Sequence, residues 1–491
     1  MVVIGAGVIG CAIAYELSKY QLTVAVLEQA SDVAVGTSGR NSAVVHAGFN
    51  NKPGSLMARL CVEGSQGFEA LCSELGVPYQ KTGKYVVAFD NEDIGILERL
   101  IQQGTCNGVK GLRIANAEEL QENIPNVGGI CAMYSPETAI INPFLYTIAL
   151  AETAVENGVR FYFEHRVETI RKSAGGYQVA QVDAKPAYPR LRGRVDGDSE
   201  ELGCDLIQNK VLPFTGIDLE TMYAYHLCHL SAVQSGTVDE ILCLKGLTSR
   251  SHLVPTGAFT NGLHSVLKIE TSAEYIEAPE DYASTSPVMD KLFTEAKQLL
   301  PALERRHIIG SYCGNRAKLA PPEEGGFRDF VIQEFPEAPG AIQLLGIESP
   351  GLTSSMPIAC MVAGMLTEHE PLILKKKWNP RKRTKIRFHE LPLAEQRRLV
   401  AEDPDYGEII CRCEQITKRE IKDAIENLLG VRTISGIKYR CRATTGRCQG
   451  GYCLTRIADI LIKEYGMSPD EITTRGGGSH LFDGFLREVG R

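Results

Sequence analysis

No stretch of this 491-residue chain is apolar enough to span a membrane, which takes about 20 consecutive apolar residues. A leader segment is also missing from the reading: the first apolar strand already starts at Val2, so no secretory signal is expected. Positive charge is not in excess. The formal net charge is −8, which argues against bulk nucleic-acid binding. There are no internal repeats and no low-complexity tracts. Nor is there a secreted disulfide framework, although the chain has fifteen cysteines. Ten are scattered at apolar or helical positions such as Cys11, Cys61, Cys72 and Cys360, and the other five crowd between Cys411 and Cys453. That distribution predicts a reducing cytoplasm plus one metal site.

What is present is ordinary for a soluble protein, 44% hydrophobic and 23% charged. The length predicts about two to four domains. The first ten residues carry the strongest pattern. Val2-Val3-Ile4 reads as a buried strand and runs into Gly5-Ala6-Gly7-Val8-Ile9-Gly10. A helix pattern follows, then a second apolar strand from Leu22 that ends on Glu28. Strand, G-x-G-x-x-G turn, helix, strand and acid is the setting of a dinucleotide site. The first glycine permits the turn, the second lets a pyrophosphate approach, and the third lets helix and strand pack. The helix N-terminus offers amides and a positive dipole end to phosphate, and Glu28 stands where a carboxylate holds a ribose diol.

Gly36-Thr37-Ser38-Gly39-Arg40-Asn41-Ser42 then combines small residues with the donors Arg40 and Asn41, and leads to His46-Ala47-Gly48. This reads as a ligand-approach loop or as a polar surface loop. Ser55 opens an amphipathic helix with Leu56, Leu60, Phe68, Leu71 and Leu75 on one face, and Gly76 ends it. Lys84 to Phe89 reads as a strand. Asn116 and Glu119 suggest a capping box. Asn142-Pro143 starts a helix that Gly158 ends, and three strands are expected from Val159 to Val182. The stretch from Ala184 to Cys204 reads as a loop, and patterning is weak to about Ser286. Asp290 to Leu300 is helical. Near the far end of this half, Ile308-Ile309 precedes a turn-like Cys313-Gly314-Asn315 that aims Arg316. Gly346 to Thr353 is a second strand–glycine turn–helix start. The two helix N-termini suit one elongated cofactor. Lys375 to Arg387 carries eight Lys/Arg and no acid. It reads as a solvated linker, a docking strip for an acidic partner, or a nucleic-acid or membrane patch.

The terminal cysteines form two close pairs, Cys411-Arg412-Cys413 and Cys448 with Cys453. Between them Thr417 and Glu420 form a capping box, and the helix that follows is expected to turn Ile421, Ile425 and Leu428 inward. A further helix begins near Cys453, whose place at a helix N-terminus favours the thiolate. Four soft thiolates suit zinc or iron–sulfur. C-x-C spacing is tight for one tetrahedral ion and comfortable for a two-iron rhomb, so [2Fe–2S] leads, with zinc and free thiols as alternatives. Cys441 reads as a bystander.

On these motifs the chain resembles two known families. Residues 1 to about 370 resemble FAD-dependent dehydrogenases of the D-amino-acid-oxidase superfamily, in the L-2-hydroxyglutarate oxidase and glycerol-3-phosphate dehydrogenase branch. Residues 409 to about 465 resemble the bacterioferritin-associated-ferredoxin-like [2Fe–2S] module. The resemblance implies an α/β fold: a Rossmann-like FAD-binding domain with an interleaved α+β substrate domain, and a small helical C-terminal [2Fe–2S] domain. The FAD-binding parts would be about 1–85, 140–225 and 305–370, and the substrate parts about 86–139 and 226–304. A basic linker over 371–404, the cluster domain over 405–466 and a tail over 467–491 would follow. FAD would rest on Gly5, Gly7, Gly10 and Glu28, along Arg40, Asn41 and Ser42, and against Gly351, Leu352 and Thr353. Cys411, Cys413, Cys448 and Cys453 would hold the cluster. Pro213-Phe214-Thr215-Gly216 stands where the family has an Asn-Ala-Ala-Gly turn, and no basic residue stands near Gln234-Ser235-Gly236.

The leading expectation is an enzyme that takes hydride from a carbon bearing a hydroxyl while a base takes the proton. His46 is the candidate base, or else a packed or solvated histidine. Arg316 is the candidate anchor for a small anionic substrate, glycerol 3-phosphate or a 2-hydroxy acid such as 2-hydroxyglutarate, or else a surface salt-bridge residue. Electrons would leave through the cluster to a partner electron-transfer subunit, in the cytoplasm, with a peripheral membrane complex as one setting. Two other functions stay open: an electron-transfer subunit with a decayed pocket, and an amine or imino-acid oxidase.

Overall fold

A computed structural model describes residues 1–124, 126–173, 176–183, 203–204, 206–208, 223–233, 241–243, 252–255, 266–270, 274–276, 281–319, 321–324, 328–380 and 386–483. Over these residues the helices are α1 (Val8–Leu17), α2 (Leu56–Leu75), α3 (Asn91–Cys106), α4 (Ala117–Asn123), α5 (Pro143–Glu156), α6 (Ser286–Leu299), α7 (Gly351–Leu366), α8 (Leu393–Glu402), α9 (Lys418–Ile425), α10 (Ile434–Cys441) and α11 (Leu454–Lys463). No helix among them is long and apolar enough to cross a membrane.

Two sheets organise the first 370 residues. The first has six strands in the order Val331–Glu334, Ala341–Leu345, Leu206–Gln208, Val2–Ile4, Ala25–Glu28 and Arg160–Phe163. All its pairings are parallel except that of Val331–Glu334 with Ala341–Leu345. Parallel strands are covered on both faces and so read as continuous apolar runs, as Val2-Val3-Ile4 does. Every residue of α1 is buried, which suits a helix that is apolar all round. It packs against α5 and α7, and α2 packs against α7. The second sheet has nine strands, mostly antiparallel. It joins Lys84–Ala88, Cys131–Ser135 and Arg113–Asn116 to Ile241–Cys243, His252–Pro255, Val266–Glu270, Tyr223–Val233 and Glu274–Ile276, while Ile308–Lys318 pairs with Tyr223–Val233.

Several expectations change. Lys84–Ala88 and Ile308–Lys318 belong to the large sheet. The weakly patterned region contains five of the nine strands, each held by pairing with distant residues. Of the loop expected from Ala184 to Cys204, residues 184–202 lie outside the described residues, and Gly203–Cys204 is instead a strand held by pairing with Tyr177 and Gln178. Pro213 to Gly216 and Gln234 to Gly236 also lie outside the described residues. Cys313-Gly314-Asn315 is not a turn. It lies inside the unbroken strand Ile308–Lys318, and Gly314 is there for close approach: a Cβ on it would sit 2.3 Å from the Arg40 carbonyl oxygen. Asn116 does cap α4 by accepting from the Glu119 amide. Glu119, however, turns to Arg113 in a two-point pair at 2.7 and 2.6 Å, because the preceding strand puts that guanidinium in reach. Helix α3 was not foreseen, yet Asp90 caps it at the Asp93 amide, and Glu92 and Asp93 occupy its first turn.

The C-terminal unit is small and helical. Ile409–Cys411 pairs with Ile416–Thr417, and Ile421, Ile437, Ile457 and Leu461 form its core. Thr417 and Glu420 make the expected capping box. Helix α9 stops at Ile425, so Leu428 lies beyond its apolar face and is exposed rather than inward. The next residues instead join the units: Leu429 and Val431 are buried in the core that holds α1 and α7.

Candidate FAD and iron–sulfur sites

Gly5 takes φ +95°, a conformation costly for any side chain, and its amide donates to the Leu27 carbonyl at 2.8 Å. A Cβ on Gly10 would lie 1.9 Å from the Gly5 carbonyl oxygen, so α1 touches the turn. Gly7 is the N-cap residue and has no side chain to occupy the first-turn amides. Ser38 Oγ accepts from the Val8 amide at 2.9 Å. Glu28 ends the second strand nearly buried, with one carboxylate oxygen on the Ala6 amide at 2.7 Å and the other on the Ala30 amide at 2.8 Å. The turn, the helix end and the carboxylate therefore stand together, and they fit the pyrophosphate–ribose part of a dinucleotide.

The loop after Glu28 spends two of its expected donors on protein. Arg40 donates to the Cys313 carbonyl at 3.1 Å and lies 4.3 Å from the Tyr282 ring centre. Asn41 donates to the Ser38 carbonyl at 2.7 Å and accepts from the Ala43 amide at 2.8 Å. Ser42 follows, half-buried. These contacts shape the loop, leaving Ser42 and the backbone nearest to a ligand role. Cys313 is disulfide-bonded, a departure from the expectation of thiols throughout. The register pairs it with Cys228 on the neighbouring strand.

At the start of α7, Gly351 and Leu352 follow Pro350, which caps nothing. Thr353 is fully buried, and its hydroxyl accepts from the His46 amide at 2.9 Å. The His46 carbonyl accepts from the Cys61 thiol at 3.4 Å, and His46 Nε2 lies 3.3 Å from Ser349 Oγ. His46 is thereby fixed through its backbone and met at its ring. One residue before Ser349, Glu348 binds Lys318 at 2.9 Å and lies 3.6 Å from Arg316. Side-chain exposure is 26% for Arg316 and 9% for Glu348, so this is not a surface pair. The structure thus gathers His46 and Arg316, 270 residues apart in sequence, around Glu348 and Ser349. Lys318, Glu348 and Ser349 were missed. Arg316 and Lys318 at i, i+2 on a strand share a face, which was the available signal.

The four terminal cysteines meet in twos. Cys453 donates to Cys411. That bond holds the Cys411 thiol down at about 6 and pushes Cys453 up. The two sulfurs thus share one proton between them, beside the start of α11. The Tyr452 amide, the Cys413 thiol and the Gly450 amide all pull Cys448 down. Cys413 accepts from the Cys448 amide, which lowers it, but donates to the Cys448 thiol and ends raised. The amides of Glu414 and Thr444 point at Cys411. Two pairs of sulfurs ringed by N–H donors fit an anionic two-iron rhomb, in which each iron takes two thiolates. Cys441 is buried and donates to the Ile437 carbonyl inside α10.

A parallel sheet feeding a glycine turn, a second helix end at Gly351 and a cysteine quartet define a flavoprotein oxidoreductase with an iron–sulfur domain. The FAD dependent oxidoreductase family model matches residues 1–197, and the BFD-like [2Fe-2S] binding domain model matches residues 409–463. A glycerol 3-phosphate dehydrogenase of Caloramator mitchellensis is 36% identical over 487 residues, covering 98% of both chains. A mitochondrial L-2-hydroxyglutarate dehydrogenase of Arabidopsis thaliana is 31% identical over 402 residues, 74% of this chain and 82% of that one. The FAD-bound L-alpha-glycerophosphate oxidase of Mycoplasma pneumoniae shares the fold, with a TM-score of 0.67 at 23% identity, over 78% of this chain and 97% of that one. The chain belongs to the family of FAD-dependent oxidoreductases that carry a C-terminal BFD-like [2Fe–2S] domain. It is an FAD-dependent dehydrogenase with iron–sulfur electron transfer, and its cofactors are FAD and a [2Fe–2S] cluster.

Proposed function

We propose that the chain oxidises the secondary alcohol of glycerol 3-phosphate to the ketone. The observation that carries this reading is the meeting of Arg316, Glu348, Ser349 and His46 at the entry to α7. Its partner in support is the relative that matches end to end, cluster domain included. Bound FAD supplies a two-electron acceptor for the C–H bond, and the cluster passes electrons on singly.

The residues divide the remaining work. Gly5, Gly7 and Gly10 take the pyrophosphate and Glu28 the adenosine ribose. Gly351, Leu352 and Thr353 border the flavin end, with Arg40, Asn41 and Ser42 shaping the loop between. Cys411, Cys413, Cys448 and Cys453 hold the cluster. Arg316 binds the substrate anion through its planar fork. His46 Nε2 takes the hydroxyl proton, and Ser349 orients the ring. Glu348 holds Arg316 in place at 3.6 Å, and Lys318 shares its charge at 2.9 Å. The electrons go to a protein partner in the cytoplasm.

A second reading, a 2-hydroxy acid such as L-2-hydroxyglutarate, is favoured by the Arabidopsis relative and uses the same Arg316 fork on a carboxylate. Anaerobic mixing decides. Glycerol 3-phosphate should bleach the bound flavin within seconds, and L-2-hydroxyglutarate should leave it yellow. The reverse pattern replaces the first reading with the second, and bleaching by neither overturns both.

A further inference from the structure

The four cluster thiols are not equally sheltered. Cys411 and Cys453 are buried at 1% and 0% exposure, Cys413 is half-buried and Cys448 is exposed. The site therefore has an inner edge facing the core of the C-terminal unit and an outer edge at Cys413 and Cys448.

Arginines surround the outer edge. Arg412 stands between the first two cysteines, and its guanidinium lies 4.2 Å from the Tyr452 ring centre. Arg456, on the first turn of α11, lies 4.7 Å from the same ring. Both are exposed, and so is Arg447, next to Cys448. Tyr452 is joined to the edge directly, since its amide donates to the Cys448 thiol. The segments 411–414 and 442–456 contain four arginines and one acid. That acid, Glu414, is held by Arg442 at 2.9 Å. Elsewhere on the same unit charges balance: Lys418 and Lys422 bind Asp405 and Glu464, and Arg419 binds Asp423 and Glu426. A cationic face on a chain of net charge −8 is a local feature that orients an approaching anion. Arginine and tyrosine are also the residues that carry binding energy at interfaces.

We propose that Arg412, Arg447, Tyr452 and Arg456 form the docking surface for a small acidic one-electron carrier protein, seated over the Cys413–Cys448 edge. The proposal rests on the reading that these cysteines hold the cluster, and it names the partner's chemistry and place. Each docking event moves one electron. The chain is oxidised by one electron, the carrier is reduced by one, and no bond forms or breaks. The two electrons of one substrate molecule serve two carriers. In the basic strip Lys375 to Arg387, of which 381–385 lie outside the described residues, Lys375 donates to the Asn157 carbonyl and Arg387 to the Cys441 carbonyl.

The test uses the loaded chain, reduced with dithionite so that substrate identity does not enter, and an acidic plant-type ferredoxin as the probe. Binding is measured by calorimetry and electron transfer by stopped flow, each at several salt concentrations. Arg412→Glu with Arg456→Glu should weaken binding and slow transfer about tenfold or more at low salt, and should flatten the salt dependence. Iron and labile sulfide per chain should not change. Arg456→Glu alone, on the surface of α11, should give a smaller effect in the same direction and stands in if the double variant misfolds. Lys376→Glu with Lys377→Glu should change nothing. The proposal is overturned by unchanged ferredoxin binding in the arginine variants with the cluster intact, by an effect confined to the lysine variants, or by no binding to the wild-type chain at low salt.

Discussion

Arg440 and Asp32 form a two-point ion pair, at 2.6 and 2.9 Å, between the helix before the cluster loop and the loop after Glu28. Their side chains are 1% and 4% exposed. The pair does not stand alone. Beside Arg440, Tyr439 stacks on Phe144 with ring centres 3.8 Å apart and planes 7° apart. Phe144 in turn supports Gly39, where a Cβ would lie 2.6 Å from the ring. The Ala34 amide, two residues after Asp32, donates to the Ala6 carbonyl in the glycine turn. The cluster unit is thus fastened to the same loops that shape the FAD site. Removing one partner of such a pair leaves a buried charge uncompensated, at a cost of about 3–5 kcal/mol. Arg440→Met should therefore lower the thermal midpoint and loosen FAD, and adding Asp32→Asn should recover part of both. Calorimetry and flavin fluorescence check this; an unchanged midpoint in Arg440→Met would refute it.

Gly10→Ala should lose FAD. The added methyl meets the Gly5 carbonyl oxygen at 1.9 Å and forces α1 away from the turn. The expected result is protein with intact iron and little yellow colour after desalting. Stoichiometric FAD in that variant counts against the pyrophosphate placement.

Serine at Cys411, Cys413, Cys448 or Cys453 should remove iron and labile sulfide together, because each iron needs two thiolates. Cys441→Ser should keep both, since its thiol donates to the Ile437 carbonyl inside α10. Metal and sulfide analysis of anaerobically prepared protein separates these outcomes. Zinc without sulfide would replace the two-iron assignment.

Arg316→Ala removes a charge-assisted fork, a loss of about 3 kcal/mol, or roughly a hundredfold in kcat/KM. FAD content and dithionite reduction should be intact. Arg316→Lys should recover little, because an ammonium does not reproduce the planar fork. Flavin reduction by substrate in stopped flow is the measurement, and an unchanged kcat/KM makes Arg316 structural.

His46→Gln should slow flavin reduction about a hundredfold or more while FAD stays bound. The Thr353 and Cys61 contacts that hold residue 46 are made by its backbone and survive the change. Ser349→Ala should cost less than His46→Gln, because it removes only the partner of the ring. Equal losses would move the proton-transfer role away from His46.

Much of this was legible in the sequence, because it depends on neighbours along the chain. The Gly5 to Gly10 turn with Glu28, the caps at Ser55, Asn142 and Thr417, and the close spacing of Cys411 with Cys413 are each local, and each formed as read. Other features were decided only by distant pairing. Ile308–Lys318 is a strand because Tyr223–Val233 lies beside it, and the intervening strands have no local pattern that announces them. Glu348 meets Arg316 and Lys318 only after two sheets have folded. The sequence by itself determined that the chain carries a dinucleotide turn and a thiolate quartet, because glycine and cysteine spacings are short-range constraints on backbone and ligand geometry; FAD and the two-iron cluster were what the family resemblance implied. The tertiary structure alone decided that the cluster unit is locked onto the FAD loops by Arg440 and Asp32, because a buried ion pair across 408 residues is set by packing and not by any local preference.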